Sequence, residues 1–335
     1  MGWYQRLVVT VAVVASASAC SSGWNPSAER WQQASSTPSK AIAHSNAARA
    51  QKIYVAVGNE IATYPATANG NVAPTALVAG RRTQLDGNEI LALSRTGAIW
   101  TCKTFRLLRF APGAHGNVAP DTQIEHHVPY CLGMAVDRTG RVALDGGARN
   151  TLQIWAPGAS GKDPPRQTIA GSNTGLNGPW GLAFAYGGAL YAASIGTPNS
   201  PNPNIAVFAP RANGNATPLR SIAKADLHRP YGICIDPERP LLWVANSESS
   251  TILAFRLTAN GSAQAVRSIS GPHTGLYRPK AVAVDAAGYV YVNNTQHSIY
   301  TDAITVYAPD ASGDAVPIQT IAGSNVKLGR SIYVR

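Results

Sequence analysis

One short turn, repeated six times at near-constant spacing, constrains this chain more than any other feature of its sequence. Ala68-Asn69-Gly70-Asn71 returns as Ala114-His115-Gly116-Asn117, Ala159-Ser160-Gly161-Lys162, Ala212-Asn213-Gly214-Asn215, Ala259-Asn260-Gly261-Ser262 and Ala311-Ser312-Gly313-Asp314. The glycines stand 46, 45, 53, 47 and 52 residues apart. A period of that size marks a repeat architecture, in which each unit is one supersecondary block packed against its neighbours. Gly provides the positive φ of a tight turn, and Asn or Ser before it tolerates left-handed geometry.

Each turn follows an alternating strand that ends in an aromatic: Tyr64, Phe110, Trp155, Phe208, Phe255 and Tyr307. A shorter strand comes after the turn, clearest at Arg166 to Ile169 and Ile318 to Ile321. A Gly-rich loop then leads to an inner strand such as Gly181 to Phe184 or Ala281 to Val284. A fourth strand completes the unit, as at Leu241 to Val244. Four short strands per unit of ~45–50 residues describe a propeller blade. The first unit starts at Ile53 with its second strand, and Ser331-Ile332-Tyr333-Val334 is the first strand it lacks. The expectation is an all-β, six-bladed β-propeller of four-stranded blades over residues 53–335. Its ring would be closed by the C-terminal strand joining the N-terminal strands.

Pro230-Tyr231-Gly232-Ile233-Cys234-Ile235-Asp236, followed by Leu242-Trp243-Val244-Ala245-Asn246, resembles the NHL-type propeller repeat. Pro279 to Asp285 with Tyr291-Val292-Asn293-Asn294 resembles it next best. The Arg that usually precedes the third strand in that family is absent, and the match is patchy in the first two blades. The resemblance implies the fold and no common activity.

The segment before the repeats reads differently. Met1 to Arg6 with one positive charge, an apolar run Leu7 to Ala15, and Ala17-Ser18-Ala19-Cys20 have the layout of an export signal over residues 1–20. An apolar run of ~9 residues is too short to span ~30 Å of hydrocarbon as a helix. The Cys after small residues resembles a bacterial lipobox, with Ala17 where Leu is usual, and implies acylation of Cys20. Residues 21–52, rich in Ala, Ser, Gln and Asn, read as a tether that carries Trp24 and Trp31. The expected address is the bacterial cell envelope, periplasmic or surface-facing, with the membrane reached through a lipid on Cys20.

Lys and Arg outnumber Asp and Glu by 28 to 17, giving a net charge of +11. That balance favours anionic partners, but Arg81-Arg82 is the densest basic pair, and nucleic acid is not expected for an exported chain. No G-x-S-x-G elbow, phosphate-binding loop or Cys-x-x-Cys is present, which leaves serine hydrolase, nucleotide and redox readings unsupported.

A residue that recurs at one blade position serves the frame; one that breaks the pattern is a candidate for function. Asp137, Asp236 and Asp285 recur after inner strands and read as turn-forming carboxylates. Tyr54, Trp100, Tyr191, Trp243 and Tyr291 recur in second strands and read as packing between blades. Cys234 takes a slot that is Ala135, Ala183 and Ala283 elsewhere, so it reads as core. Cys102 and Cys131 fall at one face of neighbouring blades and are expected to pair as a disulfide.

That same face gathers the non-repeating polar residues. The candidate ligand-binding set is Trp180, Tyr231, His228, Arg229, Arg278, Lys280, Asn246, Asn294, Asp145 and Arg330, with His126, His127, His273, His297 and Lys327 on neighbouring loops. A non-enzymatic, monomeric binding or scaffold module for a protein, an anionic glycan or a small molecule is the expectation, with no cofactor. The alternative is a metal-dependent hydrolase or lyase holding a divalent ion in the central channel. Zinc-bearing amidating lyases of the NHL type carry His where Trp180, Tyr231 and Lys280 stand here. Gluconolactonase-like propellers need an inward Glu beside the Asp and Asn ligands, and Glu89 alone approaches an inner strand.

Overall fold

The computed structural model describes residues 49–335, except 88–89, 129–130, 147–148, 199, 224–225 and 295–301. The signal segment and residues 21–48 of the tether, with Cys20, Trp24 and Trp31, lie outside the described residues. So do Glu89 and His297. The expected end of the tether is instead part of the propeller, since Ala50 is buried with its amide donating to Asp285 at 2.9 Å and Lys52 opens β1.

The period seen in the sequence becomes six antiparallel four-stranded sheets, each a blade. Blade 1 contains β1 (Lys52–Val57), β2 (Glu60–Pro65) and β3 (Ala76–Val78), with β24 (Ser331–Val334) as its innermost strand. Blade 2 runs β4 (Leu91–Leu93), β5 (Ile99–Lys103), β6 (Arg106–Phe110), β7 (Thr122–Glu125). Blade 3 runs β8 (Met134–Val136), β9 (Val142–Asp145), β10 (Thr151–Trp155), β11 (Gln167–Ala170). Blade 4 comprises β12 (Pro179–Phe184), β13 (Leu190–Ser194), β14 (Asn204–Phe208) and β15 (Arg220–Ile222). Blade 5 comprises β16 (Pro230–Ile235), β17 (Leu241–Asn246), β18 (Thr251–Arg256) and β19 (Arg267–Ile269). Blade 6 comprises β20 (Pro279–Val284), β21 (Val290–Asn294), β22 (Ala303–Tyr307) and β23 (Gln319–Ala322). Closure is as expected: β24 pairs with β1 from Ile53 opposite Val334 to Ala56 opposite Ser331.

The strands are apolar on both faces because every blade is covered by two neighbours. Leu241–Asn246 and Val290–Asn294 are buried along their whole length. The strand-end aromatics are sealed in, and the polar-headed ones find partners: Trp155 Nε1 donates to the Asp163 carbonyl at 3.1 Å, and Tyr307 Oη donates to the Thr274 carbonyl at 2.6 Å. Tyr191, Trp243 and Tyr291 are buried between blades. Asp137 accepts from the Thr139 and Arg141 amides, Asp236 from Glu238 and Arg239, and Asp285 from Tyr289, all at 2.9–3.0 Å. Those are the turn-forming roles that their recurrence suggests.

The six recurring glycines do more than turn the chain. Each bridges, parallel, to the outermost strand of the preceding blade. Gly214 is typical: its amide donates to the Thr168 carbonyl at 2.7 Å, and the Ala170 amide returns a bond to its carbonyl at 3.0 Å. The residue after the glycine adds a side-chain clasp at four of the six blade interfaces. Asn71, Asn117, Asn215 and Asp314 accept from the amides of Asn325, Arg82, Asn173 and His273 at 2.7–2.8 Å. Each clasping side chain sits against a glycine of the neighbouring blade, respectively Gly323, Gly80, Gly171 and Gly271, where a Cβ would collide with it. Gly171, at φ 125°, also needs backbone freedom that other residues lack. At the other two interfaces the sequence differs at both positions, with Lys162 and His126 at one and Ser262 and Lys224 at the other, Lys224 lying outside the described residues.

Candidate functional site

The inner strands surround an axial channel holding a cavity of about 350 Å³, lined by residues of all six blades. Its wall is mostly apolar, with Met134, Leu182, Ile233, Val282 and Ile332 among the lining side chains. Cys234 lies on this wall, half-buried, with its thiol pushed up to about 12 by burial. The residue read as core is thus a half-buried wall residue, because its slot on the inner strand borders the channel.

The polar character of the channel is concentrated at one mouth. Two residues just inside inner-strand prolines line the cavity there, Trp180 after Pro179 and Lys280 after Pro279, and Tyr231 after Pro230 is buried against them. Trp180 and Tyr231 meet edge to face with ring centroids 4.5 Å apart, and Lys280 Nζ lies 4.0 Å from the Tyr231 ring centroid. Arg229 reaches over the same ring at 5.8 Å, while Arg278 and Arg330 are exposed close by. Burial, and then the positive fields of Arg278, Arg229 and Arg330, hold the Lys280 ammonium below its ordinary pKa. Glu248 pairs with Arg229 at 3.2 Å, at a largely exposed position. An ion pair so exposed contributes little stability.

The backbone leading into the mouth is unusual. The residue before the inner-strand proline has positive φ in three consecutive blades: Gly178 at 66°, Arg229 at 55° and Arg278 at 42°. Gly adopts this conformation freely, whereas a side chain there costs about 1 kcal/mol or more. Two arginines are therefore presented at the mouth from backbone that would be more stable with glycine.

The remaining candidates are placed differently. Asn246 and Asn294 are almost fully buried at the ends of β17 and β21, and they fasten the incoming loops. Asn246 Oδ1 accepts from the His228 amide at 2.6 Å, and Asn294 Oδ1 accepts from the Tyr277 amide at 3.1 Å. Ser194 Oγ does the same for Asn177 at 3.1 Å. Asp145, buried at the end of β9, accepts from the Leu132 amide at 2.9 Å. The structure thus brings Trp180, Tyr231, Arg229, Arg278, Lys280 and Arg330 together and keeps Asp145, Asn246 and Asn294 in the frame beneath them.

Among the described residues the candidate histidines do not converge. His228 is exposed; His273 is tied to Asp314 at 2.6 Å in an inter-blade clasp; His126 is buried beside the cysteines. The link between Cys102 and Cys131 joins blades 2 and 3 with Cα atoms 6.2 Å apart. Among the described residues, one group of three Cys, His or carboxylate side chains stands close enough to share an ion, namely Cys102, His126 and Cys131. Sequence reasoning missed that His126 takes the position held by glycine at four other interfaces. The signal was present in the repeat itself.

No protein-family model matches this chain, and no curated protein does. Solved structures do. A protein of unknown function from Bacteroides caccae superposes with a TM-score of 0.59 at 12% identity, covering 85% of this chain and 99% of that one. A functionally unknown protein from Desulfotomaculum acetoxidans gives 0.57 at 14% identity, over 86% and 87%. The WD40 β-propeller domain of Doa1 gives 0.51 at 13%, over 72% and 71%. At such identities the likeness carries the fold alone. This chain is a six-bladed β-propeller with a ligand-sized axial channel, a frame compatible with a binding or scaffold module. Among the described residues no helix is long and apolar enough to cross a membrane.

Proposed function

We propose that this protein is an envelope lipoprotein, exported by residues 1–20 and held through Cys20, whose propeller binds an anionic glycan at the channel mouth. The blade pattern around Pro230 to Asn246 supports placing it among NHL-type propellers. The observation that carries the ligand class is the mouth itself, where Lys280, Arg229, Arg278 and Arg330 surround the Trp180–Tyr231 pair above the cavity. Cations there favour carboxylates, and aromatic faces pack against the C–H faces of sugar rings. Two arginines held in left-handed backbone support a ligand-driven purpose, since strain of this kind persists where something other than stability is served. A cavity of this volume is at the small end of ligand sites, so it accepts one or two sugar units and leaves the rest of a chain outside. Titration calorimetry of residues 44–335 with a short uronate oligosaccharide and its neutral counterpart tests the reading. The expected result is binding of the acidic form alone, weakened about tenfold or more by Lys280→Ala. Equal binding of both sugars, or of neither, overturns it.

A further inference from the structure

The Cys102, His126 and Cys131 group raises a choice between a metal site and a disulfide with chemistry of its own, and the histidine decides it. The Val128 amide donates to His126 Nδ1 at 3.2 Å, so that nitrogen is an acceptor and the ring proton is on Nε2. In that tautomer His126 Nε2, 3.5 Å from Cys102 Sγ, is placed to donate to the sulfur, with the Arg106 carbonyl as a second acceptor for the ring. A metal-binding histidine needs the reverse arrangement, a bare Nε2 with the other nitrogen donating to an acceptor. Burial lowers the His126 pKa to about 4, so the ring stays neutral at ordinary pH.

The two sulfurs differ in their surroundings. Cys131 lines the central cavity and Cys102 does not. Both residues are buried, and Cys102 faces His126. A nucleophile arriving through the channel therefore meets Cys131, and the sulfur displaced is the one with a hydrogen-bond donor waiting. Lys280 and Arg330 line that route, and Arg278 and Arg229 stand close enough to Lys280 to add to its positive field, which favours a negatively charged nucleophile.

We propose that the Cys102–Cys131 disulfide is redox-active and is reduced through the channel by a small anionic thiol, with Cys131 attacked and Cys102 leaving as a thiolate hydrogen-bonded by His126. The incoming thiolate forms an S–S bond to Cys131 while the Cys131–Cys102 bond breaks, and its electron pair passes to Cys102. A second thiolate attacks the external sulfur of the mixed disulfide. Cys131 is then released and the two small thiols depart as their disulfide. Both cysteines take protons from solvent, so two thiols are oxidised and one protein disulfide is reduced. His126 is a positioning residue, since it stabilises the leaving thiolate without exchanging its own proton. Only the preference for an anionic thiol rests on the reading of the mouth given above; the assignment of the two sulfurs does not.

The test uses residues 44–335 treated with mercaptoethanesulfonate, quenched with acid, alkylated and mapped by mass spectrometry. The thiol adduct is expected on Cys131, with Cys102 alkylated; an adduct on Cys102, or no reaction in the folded protein, overturns the proposal. His126→Leu is expected to slow reduction about tenfold, because it removes a donor to a charged sulfur. His126→Gln, which keeps an N–H, should recover part of that rate at a similar melting temperature. Equal rates in all three proteins overturn the role of His126. The wild-type rate, corrected for the thiolate fraction of the reagent, is expected to be flat well above the His126 pKa of about 4; a step near neutral pH contradicts the neutral donor. Cysteamine, the cationic thiol, should react several-fold more slowly than mercaptoethanesulfonate, with the gap closing in salt. Equal rates for the two reagents overturn the anionic preference and leave the sulfur assignment to the adduct map.

Discussion

Blades 4 to 6 and blades 2 and 3 are built to the same plan with different fittings. In the former the inner strands are six residues long and each opens with a proline: Pro179–Phe184, Pro230–Ile235 and Pro279–Val284. In the latter they shrink to Leu91–Leu93 and Met134–Val136, and Cys131 stands where the proline would be. The interface between blades 2 and 3 also lacks the Asn-and-Gly clasp, having Lys162 and His126 instead, and it is the one joined by Cys102 and Cys131. A covalent link thus stands where both the inner ladder and the side-chain clasp are weakest. The repeat tolerates a missing fitting when another one holds the same pair of blades.

The comparison can be broken most severely at the closure, which every blade depends on. Deleting residues 331–335 removes β24 and its four pairings with β1. We expect loss of the cooperative melt, read by circular dichroism; an unchanged midpoint would refute the closed ring. Next comes the link between the short-stranded blades. Cys102→Ser with Cys131→Ser frees a span of 29 residues and should cost about 3 kcal/mol. Amide exchange should rise in β4 and β8 and stay low in β12, β16 and β20; a uniform rise would mean that the two halves do not differ.

The same interface should also respond to acid. His126 is held neutral in the folded chain, with a pKa of about 4 against 6.5 for the free side chain. The unfolded chain therefore binds more protons between these values, and stability falls as pH drops from 6.5 towards 4. His126→Leu should remove up to about 3 kcal/mol of that dependence, measured by urea denaturation across the range. An identical pH profile in the variant would place the acid sensitivity elsewhere. The smallest effect belongs to a clasp on the well-fitted side. Gly171→Ala should cost about 2 kcal/mol, through its positive φ and the collision with Asn215. Adding Asn215→Lys, the pairing used beside His126, should recover part of it. Strict additivity of the two changes would show that the pair is not coupled.

Most of the frame was legible in the sequence because a repeat writes the same instruction six times. The strand order, the closure by Ser331 to Val334 and the turn carboxylates at Asp137, Asp236 and Asp285 all follow from residues that recur. The candidate site was legible only in part. Trp180, Tyr231 and Lys280 break a repeated slot; Trp180 and Lys280 do line the channel, and Tyr231 packs against both. Asp145, Asn246 and Asn294 looked equally available, because a strand-end position does not reveal whether its side chain is already bonded to the next loop. The left-handed backbone at Arg229 and Arg278 was hidden for a further reason: an arginine before proline gives no sign that it occupies a conformation glycine would prefer. The glycine turns were found as turns, but their bonds to the neighbouring blade depend on the curvature of the ring, which no local pattern encodes.

Those bonds bear on how the molecule behaves in company. The outermost strand of a blade has unpaired amides and carbonyls along its free side, and such edges invite pairing with other chains. Here every one of the six is only three or four residues long and already carries a parallel bridge from the next blade's glycine turn. An incoming strand would have to displace two hydrogen bonds before making any of its own. The rim of the propeller is thus closed to sheet extension, which suits a protein expected to work among many others at high local concentration.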